Sequence, residues 1–175
     1  MHKNGYVAVG DTNMYYAAFG SGSKNLVVLP GLSDGLTTVK GKAWLLAPSY
    51  KRFFHEFTVY MFSRMNDMPE GYSIEDMADD QVTVMKNFGI DRACVLGVSQ
   101  GGMIAQSIAI RHLEVVERPT LILSGSDDKT VGNDAPHELK EGIADSELFV
   151  YEGLGHGAFE EAKDFYDRVL AFCRG

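Results

Sequence analysis

Four short apolar runs recur along this chain, at residues 25–30, 57–62, 93–98 and 119–124, each closed by turn-forming residues and separated by segments of helical period. A run that is apolar at every position suits a strand covered on both faces, which is the pattern of a largely parallel sheet. A fifth strand is expected at 148–151. Between the runs, Ile74, Met77, Ala78, Met85 and Phe88 share one helical face, Ser73 and Asp76 stand at capping-box spacing, and Gly89 supplies a stop. Residues 48–56, 100–112, 134–144 and 158–173 also read as helices. Ahead of these, 6–9 and 14–19 flank Gly10-Asp11-Thr12-Asn13 and predict an antiparallel hairpin. The alternation implies an α/β fold: a mostly parallel sheet with that hairpin at its start and helices on both faces. Ligands of such sheets bind beyond the carboxyl ends of the strands, so chemistry is sought there.

With 175 residues, 45% of them apolar, no repeat and no linker-like shift in composition, one domain spanning 1–175 is expected. Cys94 and Cys173 are too few and too far apart to frame a disulfide scaffold or a zinc site, and a reducing, cytoplasmic setting is expected. Sixteen basic against twenty-four acidic residues leave a net charge of −8 without any basic cluster, which disfavours nucleic acid. No stretch approaches eighteen unbroken apolar residues and no signal-peptide pattern opens the chain, so neither membrane spanning nor secretion is expected.

The run at 93–98 leads into Gly97-Val98-Ser99-Gln100-Gly101-Gly102 and then into helical sequence. A serine at a sharp strand-to-helix turn, with glycines removing side chains that would collide, is the arrangement of a nucleophile elbow. A serine hydroxyl needs a base and a carboxylate to become reactive. Both follow in order. After the run at 119–124 comes Gly125-Ser126-Asp127-Asp128, and after 148–151 comes Gly155-His156-Gly157. Of the five histidines only His156 falls at a strand's carboxyl end; His2 is terminal, and His55, His112 and His137 read as surface or packing residues.

Ser…Asp…His in this chain order, together with Pro30-Gly31-Leu32 after the first buried run, resembles the α/β-hydrolase superfamily, and its small microbial esterase-type members in particular. The resemblance extends over nearly the whole chain. It implies Ser99 as nucleophile, His156 as base, Asp128 as the acid with Asp127 as competitor, and the backbone N–H groups of Leu32 and Gln100 as oxyanion donors. Asp34 and Gly35, in the loop after Leu32, read as turn residues. The implied activity is hydrolysis of short-chain carboxylic esters, small molecules, through an acyl-enzyme. No cofactor and no metal are implied.

One part of the pattern is short. Only Leu113-Glu114-Val115-Val116-Glu117-Arg118 separate the helix after the elbow from Pro119, which leaves no room for a further core strand or a helical cap. The expected consequence is a reduced, capless hydrolase fold in which 119–124 pairs directly with 93–98. An exposed edge leaves open strand exchange or a homodimer that covers it. A hydrolase-fold binding domain without turnover, and other acyl hydrolases such as thioesterases, perhydrolases or peptidases, remain the alternatives.

Overall fold

The computed structural model describes residues 2–32, 38–116 and 120–175. They fall into two compact units, Met1–Glu117 and Arg118–Gly175.

The first unit is built on a five-stranded sheet of β1 (His2–Val9), β2 (Thr12–Gly20), β3 (Lys24–Leu29), β4 (Phe57–Met65) and β5 (Cys94–Gly97), in the order β1-β2-β4-β3-β5. β1 and β2 form the hairpin, paired from His2↔Phe19 to Val9↔Thr12 around Gly10, whose φ of 55° only glycine adopts readily. β2 and β4 are antiparallel, whereas β3 runs parallel to both β4 and β5. Among the described residues of this unit the α-helices are α1 (Ala43–Leu46), α2 (Ile74–Asn87) and α3 (Gln100–Arg111). Ser73 caps α2 reciprocally: its Oγ accepts from Asp76 N–H at 3.1 Å while its own N–H donates to the Asp76 carboxylate at 2.9 Å.

Strand pleating sends alternate residues to opposite faces. Val27, Leu29 and Phe62 join Ala78, Val82 and Met85 of α2 and Ile104 and Ile108 of α3 in one buried cluster. Leu26 is cross-strand to Val59, and Val59 to Phe19, on the other face. There Phe19 meets the ring of Tyr50 at 5.6 Å. Each fully buried aliphatic or aromatic side chain of this kind contributes roughly 1.5–3 kcal/mol.

The second unit holds β6 (Thr120–Gly125) and β7 (Ser146–Tyr151), parallel and in register from Thr120↔Ser146 to Gly125↔Tyr151, with α4 (Ala135–Gly142) as their crossover. α5 (Ala158–Glu161) and α6 (Phe165–Arg174) follow. α6 turns Phe165, Val169, Leu170 and Cys173 inward, and the Arg168 guanidinium sits 3.5 Å from the centroid of Phe149.

Three expectations need correction. Among the described residues, the run expected beside 93–98 pairs elsewhere: β6 takes β7 as its partner in a two-stranded sheet. The place beside the start of β5 is occupied by the short exit from α3, where Ala93 N–H donates to Val115 C=O at 3.0 Å and Ala93 bridges to Val116. The helix expected at 48–56 is α1 followed by a 3₁₀ turn over Ala47–Phe53, because Pro48 has no N–H to continue an α-helical ladder. The helix expected at 158–173 is broken where Ala162 turns extended, with ψ of 115°, and α6 starts afresh after Asp164, whose carboxylate accepts from Arg168 Nε at 2.8 Å.

Candidate active site

Ser99 stands between the end of β5 and the first residue of α3, with φ 54° and ψ −123°. A non-glycine residue in this region is strained, at a cost of order 1–3 kcal/mol, and such strain gathers at functional turns. The surrounding glycines explain how the turn closes. A Cβ on Gly97 would stand 2.3 Å from the carbonyl oxygen of Gly101, and one on Gly101 would stand 1.9 Å from that of Leu29. Both positions therefore exclude any side chain. Hydrogen bonds Val98 N–H to Leu29 C=O (3.0 Å), Gly101 N–H to Val98 C=O (2.9 Å) and Gly102 N–H to Ser99 C=O (2.7 Å) fasten the elbow to the end of β3.

The same strand end brings the next segment alongside. A Cβ on Gly31 would lie 3.4 Å from Ser99 Cβ and 4.0 Å from its Oγ, so the Pro30-Gly31-Leu32 backbone runs directly beside the serine. Gln100, the residue after Ser99, opens α3. Leu32 has its side chain largely in solvent, as suits a position where only the main chain is needed. Asp34 and Gly35 lie outside the described residues.

Arg64, at the carboxyl end of β4, is a residue that the sequence reading passed over. It is 5% exposed, and its guanidinium donates to Gly31 C=O (3.2 Å), Pro30 C=O (3.1 Å) and Gln100 Oε1 (2.7 Å). A cation immediately after an apolar run, at the strand end where sites form, is the signal that could have drawn attention to it.

In the second unit Asp128 and His156 are brought together. His156 Nδ1 lies 2.8 Å from Asp128 Oδ2, while the other carboxylate oxygen accepts from the N–H groups of Thr130 (2.8 Å) and Val131 (3.3 Å). Burial by itself would raise the Asp128 carboxyl, but the His156 contact and the two backbone donors outweigh it and hold it below its usual 3.8. An ionised carboxylate only accepts, so the proton of a neutral His156 resides on Nδ1 and Nε2 keeps its lone pair. The acid and histidine loops are tied to one another: Asp127 N–H donates to Leu154 C=O (2.9 Å) and Gly153 N–H to Ser126 Oγ (2.8 Å). A Cβ on Gly125 would come within 2.1 Å of the Leu154 oxygen, which fixes that glycine.

Asp127 is exposed, and its side chain accepts only a long 3.4 Å contact from Ser126 Oγ. His112 is engaged elsewhere, 2.6 Å from Asp79, which also receives Arg111 at 2.7 Å. Ser99, Gln100 and Leu32 belong to the first unit, Asp128 and His156 to the second. Among the described residues, no group of three or more His, Cys, Asp or Glu side chains is arranged to hold a metal ion, and no helix is long and apolar enough to cross a membrane.

In sequence, the chain is similar to AB hydrolase superfamily protein YisY of Bacillus subtilis, 39% identical over 83 residues that make up 44% of this chain and 31% of that protein. It is also similar to a 2-hydroxy-6-oxononadienedioate/2-hydroxy-6-oxononatrienedioate hydrolase of Klebsiella pneumoniae, 45% identical over 62 residues, 35% of this chain and 22% of that one. Each match thus spans less than a third of the curated relative's length. No protein-family model matches. Among solved structures, the carboxylesterase CesB of Bacillus subtilis superposes with a TM-score of 0.83 at 15% identity, covering 100% of this chain and 93% of that one. The α/β-hydrolase MGS-M2 from a Medee basin deep-sea metagenome does so with a TM-score of 0.84 at 14% identity, covering 98% of each. The chain has the α/β-hydrolase fold and, over part of its length, is similar in sequence to a protein of that superfamily.

Proposed function

We propose that this chain is a serine hydrolase that cleaves short-chain carboxylic esters. The observation that carries the reading is Ser99 itself: a strained, positive-φ serine at a glycine-lined strand-to-helix turn. In this mechanism Ser99 Oγ attacks the ester carbonyl as its proton passes to His156 Nε2. Asp128 holds the imidazole in the required tautomer and stabilises the imidazolium. The N–H groups of Leu32 and Gln100 receive the developing oxyanion. Collapse of the tetrahedral intermediate breaks the ester C–O bond, and His156 returns the proton to the leaving alcohol. Water, deprotonated by His156, then attacks the acyl-Ser99 carbonyl, releasing the carboxylic acid and restoring the serine.

Esterases among the structural neighbours support the ester class. The shortness of 113–118 supports a single core domain without a cap, and hence a shallow site. Two cysteines, both buried and far apart in sequence, keep a reducing, cytoplasmic setting within this reading. A second reading, a hydrolase-fold domain without turnover, follows from the shortness of 113–118, which leaves no room for a further core strand.

Turnover of p-nitrophenyl esters graded in acyl length separates the two readings. The hydrolase reading expects activity on acetate and butyrate esters, lost by about 10³-fold or more in Ser99→Ala. An open site also expects shallow selectivity across the series, within the roughly 1–3 kcal/mol that a methylene difference supplies. No turnover above the Ser99→Ala background would favour the binding domain.

A further inference from the structure

We infer that Arg64 is a positioning residue that sets the oxyanion hole, by fixing the peptide planes on either side of Gly31. The inference rests on the hydrolase reading above and adds to it a residue with no part in the Ser–His–Asp triad. It starts from hydrogen bonds that the buried guanidinium makes to two segments: to the carbonyl oxygens of Pro30 and Gly31, and to the side chain of Gln100. Those are the two segments that would supply the oxyanion donors.

Peptide planarity converts these contacts into a constraint on the donor. The Gly31 carbonyl and the Leu32 N–H belong to one planar trans unit, so they point in opposite directions. An arginine that holds the carbonyl on its own side turns the Leu32 N–H to the other. Gly31 gives the unit unusual rotational freedom, because a residue without a Cβ permits the alternative plane at little cost. Glycine is nonetheless used here, with Ser99 Cβ 3.4 Å from where its own Cβ would be. A freely rotating plane in the oxyanion loop would leave the donor misdirected part of the time, and Arg64 removes that freedom.

Two further properties suit the role. A guanidinium presents its N–H groups in a rigid, planar fork and stays charged, so it can hold two successive carbonyls and a third acceptor at once. Charge-assisted bonds to a peptide oxygen also polarise the unit, which makes its N–H a better donor to an oxyanion. Arg64 is itself set rigidly: its neighbour Ser63 accepts Val39 N–H at Oγ (2.9 Å) and Gln81 Nε2 at its carbonyl (2.9 Å). Gln81 comes from α2, so a helix, a strand and the loop are linked through two consecutive residues of β4.

The test uses the full chain with Arg64→Met and Arg64→Lys. A donor that serves the transition state affects kcat and not ground-state binding. In Arg64→Met, kcat for p-nitrophenyl acetate should fall about 30- to 300-fold, the scale of a misplaced oxyanion donor, with KM within about threefold. The inhibition constant of a short alkyl trifluoromethyl ketone, which forms the tetrahedral oxyanion, should rise by the same factor by which kcat/KM falls. Arg64→Lys, which keeps charge and reaches fewer acceptors, should lie between. Independently of turnover, the amide resonances of Gly31 and Leu32 should be single and sharp in the wild-type chain and broadened or doubled in the variants. Unchanged kcat with unchanged resonances in a folded Arg64→Lys overturns the inference, and it is this variant that decides should Arg64→Met fail to fold. A fall in kcat without a matching rise in the ketone constant also overturns it. An inactive wild-type chain whose resonances respond to Arg64→Lys would instead count against the hydrolase reading while sustaining the role of Arg64.

Discussion

Ser99 carries opposite demands on stability and chemistry. Its φ of 54° and ψ of −123° are unfavourable for any residue with a Cβ, and the hydrogen bonds around the elbow maintain them. Ser99→Gly should therefore stabilise the fold, by about 1 kcal/mol, while abolishing turnover; thermal unfolding read beside ester hydrolysis checks both, and a loss of stability would mean that the turn is not strained. Asp128 is the second residue whose environment makes a commitment. Its carboxyl titrates below 3.8 in the folded chain, so the ionised form favours folding above that pH, and the contribution fades as pH falls through the lowered native value. Asp128→Asn should cost orders of magnitude in kcat, whereas Asp127→Asn, at an exposed position, should cost little. The difference in unfolding free energy between the wild-type chain and Asp128→Asn should be present in full at pH 7 and shrink below 3.8. A pH-independent difference, or equal and mild losses of activity in the two variants, would remove Asp128 from the acid role.

At the scale of elements, the strands and their succession along the chain were legible because burial on both faces leaves a largely apolar run, as in 25–30 and 57–62. The elbow was legible because its glycines are there for steric reasons that any sequence must respect. Gly101→Ala tests that argument: a methyl group 1.9 Å from the Leu29 oxygen forces β3 and α3 apart, and destabilisation of about 3 kcal/mol or more is expected in denaturant unfolding. A variant as stable as the wild-type chain would show the contact to be relaxed at no cost. Other features left no local trace. Nothing between Glu161 and Phe165 is a glycine or a proline, so the break before α6 is invisible to pattern reading. Strand partners are non-local by nature, so the pairing of β6 with β7 left no local trace. Arg64 was missed for a related reason, since a cation at the end of an apolar run reads as solvated until the carbonyls it holds are seen.

For the whole molecule, the proposed chemistry draws on two units. Ser99 and the Pro30-Gly31-Leu32 backbone lie in Met1–Glu117, and His156 with Asp128 lies in Arg118–Gly175. The central claim is that Ser99 and His156 nevertheless act as one nucleophile–base pair. Covalent labelling addresses it directly, because an alkyl fluorophosphonate reacts with a serine only as fast as its base activates it. The measurement is the rate and position of adduct formation, by intact mass and peptide mapping, in the full wild-type chain and in His156→Ala. A single adduct on Ser99, formed at least about a hundredfold more slowly in His156→Ala, is the predicted result. An adduct on Ser33, Ser124 or Ser126, or labelling of Ser99 at the same rate without His156, would contradict the claim.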